Sequence, residues 1–239
     1  MLADGIEEFR KHIDPATVGG LLAATSRWAD PETFKLLPVW HPYTARKAPL
    51  YSEGWTRPAT NKGEPKFEGN VAANKTLTES LGLAAAHRTN WTCCHIWGND
   101  DATFQSSQSE VNDRRYFTCP ANMILVPTPL KAFTDSVPEV KAAIRYAARL
   151  LYDFWPEGRA EPNALEAGAY LPSVWLGRDH FPNVVPLGPR IRSWARSRYE
   201  NLKSLMQTRP GHFPYAETAE AIRYWQARQP ASLLNQIDL

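Results

Sequence analysis

The sequence has few cysteines and no long apolar run. Three of its 239 residues are cysteine, and this small, odd number excludes a disulfide framework. Apolar stretches such as Met123 to Val126 are far shorter than the roughly 20 residues that a membrane-spanning helix needs. The N-terminal residues form no charged-then-apolar signal segment. We therefore expect a cytoplasmic protein that has no membrane partner.

The chain also lacks an excess of either charge. Lysine and arginine total 27, aspartate and glutamate total 25, and the formal net charge is +2. Nucleic-acid binding would then depend on a local basic face rather than on the charge of the whole protein. Hydrophobic residues make up 43% and charged residues 22% of the sequence. This usage is typical of a globular protein and excludes a disordered chain, a collagen or a coiled coil.

Proline and large aromatic residues are abundant. The 20 prolines predict short helices and stiff loops, and most of the aromatic side chains are expected in the core. Apolar spacing predicts a helix over Asn70 to Ala86, preceded by a basic, proline-rich loop with short strands. We divide the chain into an N-terminal helical and loop region (1–89), a central region (90–155) and a C-terminal loop and basic helical region (156–239).

Residues 91–135 carry the most informative pattern. Thr92 to Trp97 has the β-branched and aromatic composition of a strand, and a long polar loop follows it. Met123 to Val126 predicts a second, apolar strand. Thr128 is suited to cap a helix whose first residue is Pro129. The predicted order is therefore strand, loop, strand, helix.

This segment resembles the HNH endonucleases, whose active site is a ββα-metal finger. In that family a histidine at the end of the first strand is the general base, an asparagine opens the second strand, and a metal ligand lies on the helix nine residues later. His95, Asn122 and Lys131 stand at these positions. The resemblance implies an α+β fold in which a small ββα-metal finger is embedded in a mostly helical, loop-rich shell.

The resemblance also implies a function. A histidine suits the activation of water for phosphodiester hydrolysis, so His95 is the expected general base. Asn122 would orient it through the backbone of the loop. The expected activity is endonucleolytic cleavage of double-stranded DNA with a divalent cation, Mg²⁺ or Mn²⁺, as cofactor. A restriction or defence nuclease is expected, and a palindromic cleavage site would imply a homodimer.

Two residues depart from the family pattern. Cys94 stands just before the base, where an oxygen or imidazole ligand is usual, and thiolates suit soft metals. Lys131 cannot bind a cation. Asp135, one turn further on the same helix face, joins Cys94 as the predicted metal-side pair, with Asp100 or Asp101 as a further source of oxygen. The other interpretation is that Lys131 itself stabilises the negative charge of the transition state.

Nucleic-acid contacts are predicted on the long polar loop and on two basic helices. Glutamine and arginine side chains bind base edges and phosphates, and basic residues that recur every four positions along a helix form a ridge. A solvated helix face is the other interpretation of such a ridge. The predicted contact residues are Gln105, Gln108, Arg114, Arg115, Arg145, Arg149, Arg192, Arg196 and Arg198.

Two other functions are compatible with the sequence. A catalytically degenerate finger would bind DNA with a steep salt dependence and cleave nothing, and the departures at Cys94 and Lys131 favour this function. A metal-free enzyme would instead use the thiol of Cys93, Cys94 or Cys119 as a nucleophile beside His95.

Overall fold

The computed structural model of the chain describes residues 2, 4–51, 55–98, 109–161, 181 and 183–239. The N-terminal region contains α1 (Gly5–Arg10), α2 (Pro15–Thr25), β1 (Trp28–Ala29), α3 (Pro31–Leu36), β2 (Thr60–Asn61), β3 (Glu64–Pro65) and α4 (Val71–Ser80). The central region contains β4 (Trp91–His95), β5 (Met123–Pro127), α5 (Lys131–Ser136) and α6 (Pro138–Tyr152). The C-terminal region contains β6 (Val184–Val185), α7 (Pro189–Thr208) and α8 (Tyr215–Arg228).

Local sequence signals start the first three helices. An aspartate side chain caps each of them by accepting hydrogen bonds from backbone N–H groups of the first turn, and the caps are Asp4, Asp14 and Asp30. In α2 and α3 a proline follows the cap at the first helical position, where its missing N–H costs no intrahelical hydrogen bond. These helices are short, as the proline content predicts.

The strands that the structure describes form three two-stranded sheets. β4 and β5 pair antiparallel, with Trp91 opposite Pro127 and His95 opposite Met123. β1 pairs with β6 in parallel, and β2 with β3 antiparallel. Arg27, next to β1, bridges to Leu125, so β5 has a neighbour on each side. The β4–β5 hairpin is thereby held in the interior of the molecule.

Two hydrophobic clusters lie on opposite faces of this hairpin. Side chains alternate along a strand, so Cys94 and Ile124 join the larger cluster while Cys93 and Met123 join the smaller one. The larger cluster also takes residues from every region, among them Val18, Phe34, Ile144, Tyr199 and Trp225. The described residues of the N-terminal, central and C-terminal regions therefore share one core.

The mixture of helices and small sheets confirms the predicted α+β class. The predicted order of strand, loop, strand and helix is also present in the central region. No helix among the described residues is long and apolar enough to cross a bilayer.

Two predicted helix boundaries are wrong. α4 ends at Ser80, six residues before the predicted end at Ala86, because Gly82 has a φ of +65° that cannot continue a right-handed helix. Thr128 is not a helix cap. It lies in a 3-10 turn before α5, and its hydroxyl bonds that of Thr92 at 2.8 Å.

Candidate functional site

His95 ends β4 and lies beside the segment that leads into β5. Its Nε2 is 2.9 Å from the carbonyl oxygen of Phe117, and its ring stacks on the Phe117 ring with centroids 5.5 Å apart. A carbonyl can only accept a hydrogen bond. Nε2 therefore carries the hydrogen in the neutral ring, and Nδ1 keeps a free lone pair.

Burial lowers the pKa of His95 to about 4. The hydrogen bond to Phe117 works against this shift, and the positive charges of Arg46 and Lys131 reinforce it. Asp135 acts in the opposite sense. The imidazole is therefore neutral at pH 7, which is the state in which Nδ1 accepts a proton.

Asn122 is fully buried just before β5. Its Oδ1 accepts a hydrogen bond from the Trp97 N–H at 2.7 Å. Its Nδ2 donates to the carbonyl oxygens of Trp97 and Tyr116, each at 3.1 Å. The asparagine thus joins Trp97, which follows the end of β4, to Tyr116, which precedes Phe117. It therefore holds both backbone segments that position His95.

α5 packs against β4 through a buried polar contact. The Thr134 hydroxyl lies 3.4 Å from the Cys94 sulfur and also donates to the Lys131 carbonyl oxygen. One turn apart on the same helix, the Lys131 ammonium forms an ion pair with the Asp135 carboxylate. The side chain of Lys131 is 32% exposed and that of Asp135 is 56% exposed, so the pair is open to solvent beside the end of β4.

The predicted metal-side residues do not fit a Mg²⁺ or Mn²⁺ centre. Burial raises the pKa of the Cys94 thiol to about 11, so the thiol is neutral at pH 7 and is in any case a poor ligand for a hard cation. The Asp135 carboxylate is paired with Lys131. No group of three or more His, Cys, Asp and Glu side chains suited to a metal occurs in the part of the chain that the structure describes. Asp100 and Asp101 lie outside that part.

The structure gives protein partners to most of the arginines predicted to contact nucleic acid. Arg145 donates to the Ile96 carbonyl oxygen at 3.3 Å and stacks on Trp97. Arg149 pairs with Asp153 and Glu161. The two carboxylates beside Arg149 offset part of the charge that a phosphate would meet there.

Arg114 and Arg115 line a cleft of about 700 Å³. Arg115 binds Asp113 and Glu157, with its Nη1 2.8 Å from Glu157, and Arg114 donates to the Tyr43 carbonyl oxygen at 3.4 Å. The other charged residues that line the cleft are Glu110, Arg159, Glu217 and Glu220. Because carboxylates outnumber guanidinium groups in its lining, the cleft is a poor site for a phosphate backbone.

The three predicted arginines of α7 have different surroundings. Arg198 is partly buried and donates to Nε2 of His41 at 2.9 Å. Arg192 and Arg196 are exposed, one turn apart on the helix. Gln105 and Gln108, the predicted base-reading residues, lie outside the described residues.

Two members of this site were missed by the sequence analysis. Arg46, whose charge acts on His95, looked like one of several solvated charges in a basic loop. Its backbone N–H donates to the Val111 carbonyl oxygen at 2.8 Å, which brings the loop to the hairpin. Phe117 holds His95 through a backbone carbonyl, and no residue type in the sequence signals that contact.

Comparison of the chain with protein-family models, with curated proteins and with solved structures gave no match.

Proposed function

We propose that this protein is a DNA endonuclease of the HNH type that hydrolyses phosphodiester bonds with His95 as general base. The observation that carries the proposal is the hydrogen bond from His95 Nε2 to the Phe117 carbonyl oxygen. It leaves Nδ1 as a proton acceptor in a histidine that is neutral at pH 7. A positioned general base contributes roughly 10²–10⁴-fold to a hydrolytic rate.

The chemistry follows from the positions of the side chains. Nδ1 of His95 takes a proton from a water molecule, whose oxygen bonds to phosphorus while the bond to the leaving oxygen breaks. Asn122 contributes by positioning, because its three hydrogen bonds hold the segments on both sides of the histidine. The buried amide touches no substrate, and its effect is to keep Nδ1 aimed in one direction.

The proposed substrate is double-stranded DNA, cut by a restriction or defence nuclease in the cytoplasm. Arg192 and Arg196 on α7 support backbone binding, since both are exposed and carry positive charge. A symmetric cleavage site would be matched by a homodimer, because two-fold symmetry in DNA calls for two-fold symmetry in the protein.

The test is a cleavage assay on plasmid and bacteriophage DNA with the His95→Ala variant. We expect the variant to lose at least 100-fold in rate. His12→Ala is the matched control, because His12 lies on the surface with 73% of its side chain exposed. Circular dichroism establishes that both variants are folded. Equal rates for His95→Ala and the unmodified chain would contradict the proposed base.

A DNA-binding module without catalysis is the second candidate, and a specific observation favours it. The position where the HNH family has a metal ligand carries an ammonium, and the neighbouring thiol of Cys94 is protonated. Such a protein would retain DNA in a gel-shift assay, lose it as salt rises and cleave none of it.

The thiol-enzyme alternative has less physical support. Cys93, Cys94 and Cys119 are free and buried, and burial raises their thiol pKa values to about 12, 11 and 12. The thiolate is the nucleophile in cysteine chemistry. Thiols that stay protonated at pH 7 are poor nucleophiles, so the proposal does not use them.

A further inference from the structure

The ion pair between Lys131 and Asp135 stands where the HNH resemblance implies a metal. α5 presents both residues beside the end of β4, and the contact of Thr134 with Cys94 sets its distance from the strand. The charges of Lys131 and Asp135 both act on His95 and on Cys94. Thr134 lies between Lys131 and Asp135 on α5, and its contact with Cys94 places the ion pair beside the residue that precedes His95.

We propose that the Lys131 ammonium replaces the divalent cation of this site, so that hydrolysis proceeds without a metal ion. The inference rests on the proposed nuclease function and deepens it by assigning the group that stabilises the transition state. Lys131 becomes a catalytic residue, and Asp135 becomes a positioning residue that acts through it.

The chemistry of the donors supports this assignment. An ammonium has three N–H donors, and Asp135 occupies one side of it, which leaves donors for phosphate oxygens on the side exposed to solvent. A divalent ion at the same place would meet the positive charge of Lys131 and the neutral thiol of Cys94. Mg²⁺ and Mn²⁺ need several oxygen ligands, whereas Lys131 already holds the Asp135 carboxylate and the described residues contain no group of three or more His, Cys, Asp and Glu side chains that could hold a metal ion.

The reaction balances without a further reagent. A water oxygen bonds to phosphorus, and the bond between phosphorus and the leaving oxygen breaks. Nδ1 of His95 takes the proton of the attacking water, and Lys131 hydrogen-bonds to the leaving oxygen and gives it a proton. His95 then releases its proton to bulk solvent and Lys131 regains one. One water is consumed and no group is oxidised or reduced.

The test measures cleavage by the full chain in EDTA, in Mg²⁺ and in Mn²⁺. We expect equal rates in the three buffers and a loss of at least 100-fold in Lys131→Met, the size of effect typical of removing a positioned electrostatic group. Lys131→Arg should recover part of the rate, since it restores the charge. Lys35→Met is the matched control, because Lys35 forms a similar surface ion pair with Glu32 at 2.7 Å on α3.

Calorimetric titration of the chain with MnCl₂ gives a readout that does not depend on activity. We expect no manganese binding at Asp135. Any binding to the original chain should therefore be unchanged in Asp135→Asn. Manganese binding that is lost in Asp135→Asn, or cleavage that EDTA abolishes, would overturn the inference and leave the nuclease function standing. Absence of cleavage on every substrate in all three buffers would instead overturn the nuclease function, and the inference with it.

Discussion

Asn122 is fully buried and uses its whole side-chain amide in hydrogen bonds. It pairs one backbone N–H and two carbonyl oxygens of the segments around His95. Truncation would leave these three groups unpaired in the interior, and each unpaired buried group costs about 1–3 kcal/mol. At the scale of single residues, this makes Asn122 the point on which the geometry of the histidine depends.

We predict that Asn122→Ala lowers the free energy of unfolding by at least about 3 kcal/mol. Asn235→Ala is the matched control, because Asn235 also donates twice to backbone carbonyl oxygens, those of Gln229 and Ser232, but lies at the surface. Asn235→Ala should lose less than about 1 kcal/mol of unfolding free energy, because water replaces the lost hydrogen-bond partner. Urea unfolding followed by circular dichroism measures both, and equal losses would contradict the role given to burial.

At the scale of elements, α7 separates two kinds of arginine along one helix. Arg192 and Arg196 point to solvent, while Arg198 points inward to His41. The periodicity of the helix explains the split, because residues four apart share a face and a shift of two positions turns the side chain towards the core. The basic stretch is thus partly exposed to solvent and partly a packing element.

We predict that Arg192→Ala combined with Arg196→Ala weakens DNA binding and makes the salt slope of log K shallower by about 1.8. The stability of the protein should change by less than about 0.5 kcal/mol, because both side chains are exposed. Lys35→Ala combined with Arg223→Ala removes two exposed charges elsewhere and should leave the slope unchanged. If the Arg192→Ala and Arg196→Ala double variant keeps the original salt slope of log K, α7 is not part of the proposed DNA interface.

At the scale of the whole molecule, His41 connects distant parts of the chain. Nε2 accepts from Arg198 of α7, so Nδ1 carries the hydrogen and donates to the Thr76 hydroxyl of α4 at 3.2 Å. The backbone N–H of His41 donates to the Thr118 hydroxyl at 2.9 Å. Burial, then the charges of Arg198 and Lys75, lowers the pKa of His41 to about 3. Protonation of Nε2 would place a second positive charge against Arg198 and break that hydrogen bond, while Nδ1 would still donate to Thr76.

We therefore predict that acid begins to destabilise the fold at pH values well above those at which carboxylates become protonated. A histidine whose folded pKa lies below its unfolded value of about 6.5 stabilises the protein fully above pH 6.5, and this contribution is lost as pH falls through the folded pKa. Between pH 6 and pH 4.5 the unfolding free energy should decline less in His41→Gln than in the original chain. The difference between the two declines should be about 1 kcal/mol per pH unit.

Urea unfolding at several pH values measures this decline. His95 has a lowered pKa as well and contributes equally to the original chain and to the variant, so the difference isolates His41. His12→Gln is the control, because His12 is exposed. A decline that is the same in His41→Gln as in the original chain would contradict the charge state assigned to the buried ring.

Most local elements of the central region could be predicted from the sequence. Aspartate caps and prolines start α2 and α3, and such starts are local signals because capping depends on neighbours within four positions. The order of strand, loop, strand and helix was predictable from composition and turn residues, and with it the placement of His95 and Asn122 at the two ends of the loop. The nuclease function stays a proposal that rests on this pattern.

The pKa shifts and the contact partners depend on the tertiary structure and do not follow from local sequence. The backbone carbonyl that selects the tautomer of His95 comes from Phe117, and carboxylates remote in sequence neutralise arginines that looked free, as Glu157 does for Arg115. Residues far apart along the chain meet only when the core closes around the hairpin. The burial that accompanies this closure raises the pKa of the Cys94 thiol to about 11 and lowers the pKa of His95 to about 4, because desolvation penalises the charged form of each group.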